Sequence, residues 1–298
     1  MPPVPGGATS RRWYPLSLDT VATKLSKQLP KLSKRGPHRV LVGDLAYAGI
    51  EGRVYTPAEG NGIPGVVFAH DWKKGVEKYH GTLRHLASWG IAVAAPNTER
   101  GWIPDVRGFA ADIETCLQIL TGVKLGTGNV SVAPGRIGVA GHGMGAAAAV
   151  LAAAQRDNVA AVAALYPAAS HPNAEELASK VKAPGLVIST DEEAFFDYGN
   201  AAKMAANWGG DVVYREMEKG KAHVLTEDVL FKLATGTGGI KTGVREQVRG
   251  LTTGFFLHEL AGENKYQAFS DPEQELKKTR IYTGEDLQER ADLGTIKR

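Results

Sequence analysis

Arg136-Ile-Gly-Val-Ala-Gly-His-Gly-Met-Gly-Ala-Ala-Ala-Ala-Val-Leu-Ala-Ala-Ala154 runs an apolar segment, a glycine-punctuated turn and an alanine-rich segment together without a break. Arg136 to Ala140 reads as a buried strand and the alanines up to Ala154 as a helix. The five residues between them, Gly141-His142-Gly143-Met144-Gly145, must then turn the chain within a very short distance. Glycine is the residue that permits such a turn, because it has no Cβ to clash where backbones approach closely.

The same alternation extends in both directions. Gly65 to Ala69, Ile91 to Ala95, Val159 to Leu165, Gly185 to Ser189 and Asp211 to Met217 are short apolar runs bounded by Gly, Pro or polar residues. Val40 to Val42 and Arg53 to Tyr55 add an antiparallel opening pair. Between the runs, Tyr79, Leu83, Leu86 and Trp89 recur at helical spacing, and so do Phe109, Ile113, Cys116, Leu117 and Leu120. Asn200 to Trp208 and Arg245 to Leu260 read as further helices. Eight strands joined by crossover helices predict an α/β fold, a mostly parallel eight-stranded sheet with helices on both faces.

Composition sets the remaining bounds. With 298 residues, 43% hydrophobic and 22% charged, the chain has room for one large α/β domain and is not a disordered polymer. A single cysteine excludes an intramolecular disulfide and a cysteine-based zinc site. The eight histidines show no metal-ligand spacing; His80 and His85, five apart, do not share a helix face. No metal or cofactor is expected. The longest apolar run, around Ala146 to Ala154, is about half the ~20 residues a membrane span needs, so a soluble, cytoplasmic protein is expected.

Charge is unevenly distributed. Residues 1–39 carry eight Lys and Arg against Asp19 alone, a local +7 that leaves −4 for the rest of a chain whose net charge is +3. Three parts are expected: a basic leader and amphipathic helix over 1–36, the α/β domain over 37–262, and a charged extension over 263–298 lying on the surface. Leu18, Val21, Leu25, Leu29 and Leu32 form one helical face among lysines. That face either docks on the domain or serves an anionic membrane surface or protein partner through residues 17–35. No nucleic-acid motif is present, and no nucleic acid is expected as a partner.

A strand ending in Gly-x-x-x-Gly and opening a helix is the setting of a nucleophile elbow. Gly49 to Phe269 resembles the α/β-hydrolases of the dienelactone hydrolase and bacterial cutinase-like polyester hydrolase group, which carry Gly-His-Ser-Met-Gly where this chain has Gly141-His142-Gly143-Met144-Gly145. The resemblance implies an α/β-hydrolase fold and a set of site positions. Phe68-Ala69-His70-Asp71-Trp72 matches the loop whose aromatic residue, here Trp72, offers a backbone N–H to an oxyanion, the second donor being Met144. Leu186 to Glu193 resembles the strand and loop of the acid, leaving both Asp191 and Glu193 as candidates. Glu218 to His223 resembles the loop of the general base, so His223 takes that role. His142, Trp102 and Asp71 line the implied pocket.

The expected nucleophile is missing. Acyl transfer by such a triad requires an oxygen or sulfur nucleophile beside the base, and Gly143 has no side chain. Cys116 falls on a buried helix face, and neither Ser170 nor Ser189 has a motif that puts it beside His223. The sequence therefore points to a non-catalytic pseudo-hydrolase that binds a small carbonyl or ester ligand or a partner. The alternative is an intracellular carboxylic-ester hydrolase using His223 with Glu193 or Asp191 and an activated water or a serine not placed by the sequence.

Overall fold

The computed structural model describes residues 18–190, 199–218, 222–227 and 242–296. Helix α1 is Leu18–Leu32. Strands β1 (Val40–Asp44), β2 (Gly52–Pro57) and β3 (Gly60–Ala69) follow, then α2 (His80–Ser88), β4 (Ala92–Pro96) and α3 (Val106–Gly122). Next come β5 (Val130–His142), α4 (Met144–Ala154), β6 (Ala161–Leu165), α5 (Ala174–Leu177), β7 (Gly185–Thr190), α6 (Ala201–Ala206) and β8 (Val212–Met217). The last elements are α7 (Thr242–Glu259), β9 (Thr279–Ile281) and α8 (Gly284–Ile296).

The strands form one sheet in the order β1-β2-β4-β3-β5-β6-β7-β8-β9. Pairings from β4 through β8 are parallel, and β1, β2 and β9 join antiparallel at the two edges. Alternate residues of the inner strands feed two separate cores, which is why those strands read as unbroken apolar runs. Val67, Ala69, Val162 and Ala164 face α3, α4, α6 and α8. Val66, Phe68, Ala161 and Ala163 face α1, α2 and α7. The apolar face of α1 is used in this packing: Leu25, Leu29 and Leu32 are buried with Val248 and Leu251 of α7.

Two features depart from the sequence expectation. The sheet has nine described strands, not eight, because Thr279–Ile281 pairs antiparallel with β8. The charged C-terminal segment is accordingly part of the fold and not a tail on its surface. Leu287 and Ala291 of α8 enter the first core. Glu216, 2% exposed, meets Arg290 at 2.7 Å and Arg280 at 3.7 Å. On the opposite face, buried Arg215 donates to the main-chain oxygens of Gln274 and Asp271, at 2.7 and 3.5 Å. Burial pulls the Arg215 guanidinium down to about 10. The charges that suggested a solvated extension are thus partly ties to the sheet.

The second departure lies at β3 and β5, which begin earlier than their apolar runs. Gly60 pairs with Val130 and Ile63 with Val132, through register shifts on either side of Ile63. Gly60, Gly62, Pro64, Pro134 and Gly135 hide these halves, since such residues read as strand breakers.

Candidate functional site

The turn between β5 and α4 centres on Gly143, at φ 57 and ψ −118. A residue with a side chain is strained there, at roughly 1–3 kcal/mol. The Gly143 N–H donates to Leu165 O, and Gly143 O accepts from the N–H groups of Ala146 and Ala168, fixing the turn against β6 and its following loop. The flanking glycines are steric necessities. A Cβ on Gly141 would overlap the backbone of Gly145, and one on Gly145 would overlap Ala69 O, in each case inside 3.0 Å. This lets α4, every residue of which is buried up to Ala153, start directly over the sheet.

The space above Gly143 is taken. A Cβ at this position would overlap both Oδ1 and Cγ of Asp71, with Oδ2 at 3.0 Å. Asp71 Oδ1 also accepts the N–H of Met144 at 3.0 Å. One carboxylate therefore occupies the place of a nucleophile side chain and engages the donor expected to serve an oxyanion. A helix N-terminus favours such a negative group.

Tyr79 and His70 hold Asp71 in place. The Asp71 N–H donates to the Tyr79 hydroxyl oxygen at 3.1 Å, and that hydroxyl lies 2.7 Å from His142 Nδ1. His142 is buried and makes an edge contact with the Tyr166 ring. Tyr166 is itself buried, so its ring supports His142 from within the fold. His70 is fully buried, with its two ring nitrogens 2.9 and 2.8 Å from the oxygens of Asp71 and Thr98. Burial is the main cause that pulls its imidazole below the ordinary value.

Outside this cluster lies an aromatic rim. Trp72 is 39% exposed and Trp102 80% exposed. The Lys73 ammonium lies over both rings, 4.4 Å from the Trp72 ring centre and 3.0 Å from that of Trp102.

His223 is exposed on a 3-10 turn, Ala222–Leu225. Thr226 closes this turn by donating its N–H and hydroxyl to His223 O. Arg245 Nε of α7 donates to Val224 O at 2.8 Å. Glu227 accepts the N–H groups of Gly81 and Thr82 at the start of α2, and Arg249 Nη2 of α7 at 2.5 Å. Arg249 Nε completes the clamp by donating to Thr82 Oγ1. Sequence reading missed Tyr79, Glu227 and Arg249 as site-supporting groups. Apart from Asp71, eight residues before Tyr79, these partners lie 22 or more residues away, and no local pattern joins them.

Of the expected site residues, the structure brings Asp71, Gly143 and Met144 into direct contact and links His142 to them through Tyr79. Asp191 and Glu193 lie outside the described residues. The alternative nucleophiles are engaged elsewhere. Ser170 bonds Pro172 O and Ala174 N, Ser189 bonds the Tyr214 hydroxyl, and Cys116 is buried in the first core, where burial pushes its thiol up to about 12. Among the described residues no group of three or more His, Cys, Asp or Glu is arranged to hold a metal ion, and no helix is long and apolar enough to cross a membrane.

A family model described as the dienelactone hydrolase family matches residues 50–213, more than half of the chain. The matched span runs from just before β2 into β8, so it contains the Asp71 loop and the Gly143 turn and stops short of His223. Among curated proteins, none matches the chain.

Proposed function

Because this chain belongs to the dienelactone hydrolase family, we propose that it is a non-catalytic member whose pocket binds a carbonyl or carboxylate ligand without hydrolysing it. One observation carries this reading. The Asp71 carboxylate fills the space above Gly143 and accepts the Met144 N–H. Loss of a triad nucleophile costs on the order of 10⁶ in kcat, and oxyanion donors with binding leave roughly 10³ to 10⁴ over water. Here one of the two expected oxyanion donors, the Met144 N–H, also has an internal acceptor. A neutral ester carbonyl competes poorly for it, because a hydrogen bond to a carboxylate is about twice as strong as one to a neutral group. A ligand carboxylate competes on equal terms, which favours acids over esters as ligands.

The test combines turnover with binding. A short p-nitrophenyl ester should be cleaved no faster by the unmodified chain than by His223→Ala. Short-chain carboxylates should raise the melting temperature by mass action. Turnover that His223→Ala removes would replace this reading with its rival.

That rival is a carboxylic-ester hydrolase in which His223, with Asp191 or Glu193, activates a water. What favours it is the clamp on the His223 turn, since Arg245, Glu227 and Arg249 fix a segment that a retired base would not need fixed. A separate proposal concerns α1. With Leu25, Leu29 and Leu32 buried, α1 and the residues after it expose Lys27, Lys31, Lys34 and Arg35 to an anionic membrane surface or protein partner. Salt-sensitive retention on anionic phospholipid vesicles tests the membrane version.

A further inference from the structure

Two tryptophans and an isoleucine stand in solvent beside the Asp71 turn. Trp102 is 80% and Ile103 95% exposed, and Trp72 immediately follows Asp71. Large exposed apolar groups that cluster in this way mark contact sites more often than accidents of composition. Their mounting is rigid. Asn97 and Arg100 each donate to Glu51 at 2.8 Å, Thr98 donates to Asp112 at 2.6 Å, and Glu99 accepts the N–H of Asp105, the N-cap of α3. The segment carrying Trp102 and Ile103 is therefore tied on both sides of its tip.

The facing turn is set with equal care. Lys74 N–H donates to Asp71 O at 3.0 Å and closes a four-residue turn with Trp72 and Lys73 in the middle. Lys73 has φ 52, a conformation in which glycine is the usual residue at this turn position. Here a lysine holds it, with its ammonium over both indole rings. The strained backbone belongs to a residue whose visible effect is to hold a cation over two rings.

We propose that the Trp72–Trp102 pair is a cage for the quaternary or methylated ammonium group of the pocket's ligand, and that the Lys73 ammonium is the internal occupant such a ligand displaces. Indole faces attract cations through the ring quadrupole. A primary ammonium is strongly hydrated and held on a flexible four-carbon stem, so an exposed lysine is a weak competitor. A methylated ammonium sheds water more easily and buries the exposed indole surface as well. Asp71 and Lys73, two residues apart, then stand in for the two ends of one ligand: Asp71 for its carbonyl or carboxylate at Met144, Lys73 for its cation in the cage. The inference deepens the binding reading of the same pocket and names the charge its ligand carries.

The probes are choline and 3,3-dimethylbutan-1-ol, its uncharged isostere, followed through the indole N–H resonances of Trp72 and Trp102 in the full chain. Choline should bind about 3- to 30-fold tighter than the isostere, the range of a cation–π contact between exposed and desolvated sites. Lys73→Ala should tighten choline binding, and Trp102→Ala, at a position too exposed to affect folding, should abolish it. Equal affinity for the two probes overturns the proposal. So does weaker or unchanged choline binding in Lys73→Ala. Ester turnover measured in the same samples reports separately on the non-catalytic reading, so the two can fail independently.

Discussion

Restoring a serine at position 143 should fail until Asp71 is also changed. In Gly143→Ser the new Cβ overlaps Asp71 Oδ1 and Cγ, so the carboxylate must swing away and release the Met144 N–H. Losing a hydrogen bond to a charged group costs roughly 1.5–3 kcal/mol. Holding a side chain at φ 57 and ψ −118 adds roughly 1–3 kcal/mol. Together these predict a loss of about 2.5–6 kcal/mol for the single variant. In Asp71→Ala/Gly143→Ser the overlap is gone and only the backbone strain is new, so the two substitutions should couple favourably by about 1.5–3 kcal/mol. Urea unfolding of the wild type, both single variants and the double variant closes this cycle. The double variant should also hydrolyse a p-nitrophenyl ester faster than Gly143→Ser alone, since no carboxylate is left beside the turn to crowd the serine or to re-engage the Met144 N–H. A Gly143→Ser protein as stable as wild type, with no coupling to Asp71→Ala, would show that the carboxylate does not occupy this space.

Further outcomes follow from other parts of the fold. Glu227→Ala strips three donors of their acceptor, one of them the charged Arg249, and should cost about 2–4 kcal/mol in urea unfolding, with Glu227→Gln recovering part of it. His85 is buried between α1 and α7, and burial, helped by Arg249, lowers it from 6.5 to about 4. A base depressed in the folded state gives stability that is full above 6.5 and drains as the pH falls towards 4. Wild type should therefore lose about 2 kcal/mol more than His85→Leu between pH 7.5 and pH 5 in parallel urea titrations. Arg290→Met leaves the buried Glu216 with Arg280 at 3.7 Å and the Tyr214 hydroxyl at 3.4 Å, and should lower stability by about 3 kcal/mol. An effect below about 0.5 kcal/mol, the size of an ordinary surface substitution, would mean that α8 is not anchored through this pair.

What the sequence reveals and conceals divides along the range of the interaction. The buried strands announce themselves because both faces are covered, and the turn at Gly143 does so because its flanking glycines have steric duties within five residues. Asp71 is legible as a pocket residue from its place after β3, but not as the group above Gly143, since that contact joins positions 72 apart whose side chains say nothing of each other. Strand β9 is three residues long, too short for alternation to show, and its arginine reads as surface charge until Glu216 is found beside it. Lys73 looks like one more surface lysine; only its positive φ and the two rings around it set it apart.

Whether the pocket binds without turning over is decided by the steady-state release of p-nitrophenol from a short-chain ester, comparing the unmodified chain with His223→Ala at equal concentration. The two traces should coincide, at the low rate expected of exposed surface nucleophiles. A rate in the unmodified chain that exceeds this background, and falls to it in His223→Ala, would make the protein an enzyme and return His223 to the role of a working base.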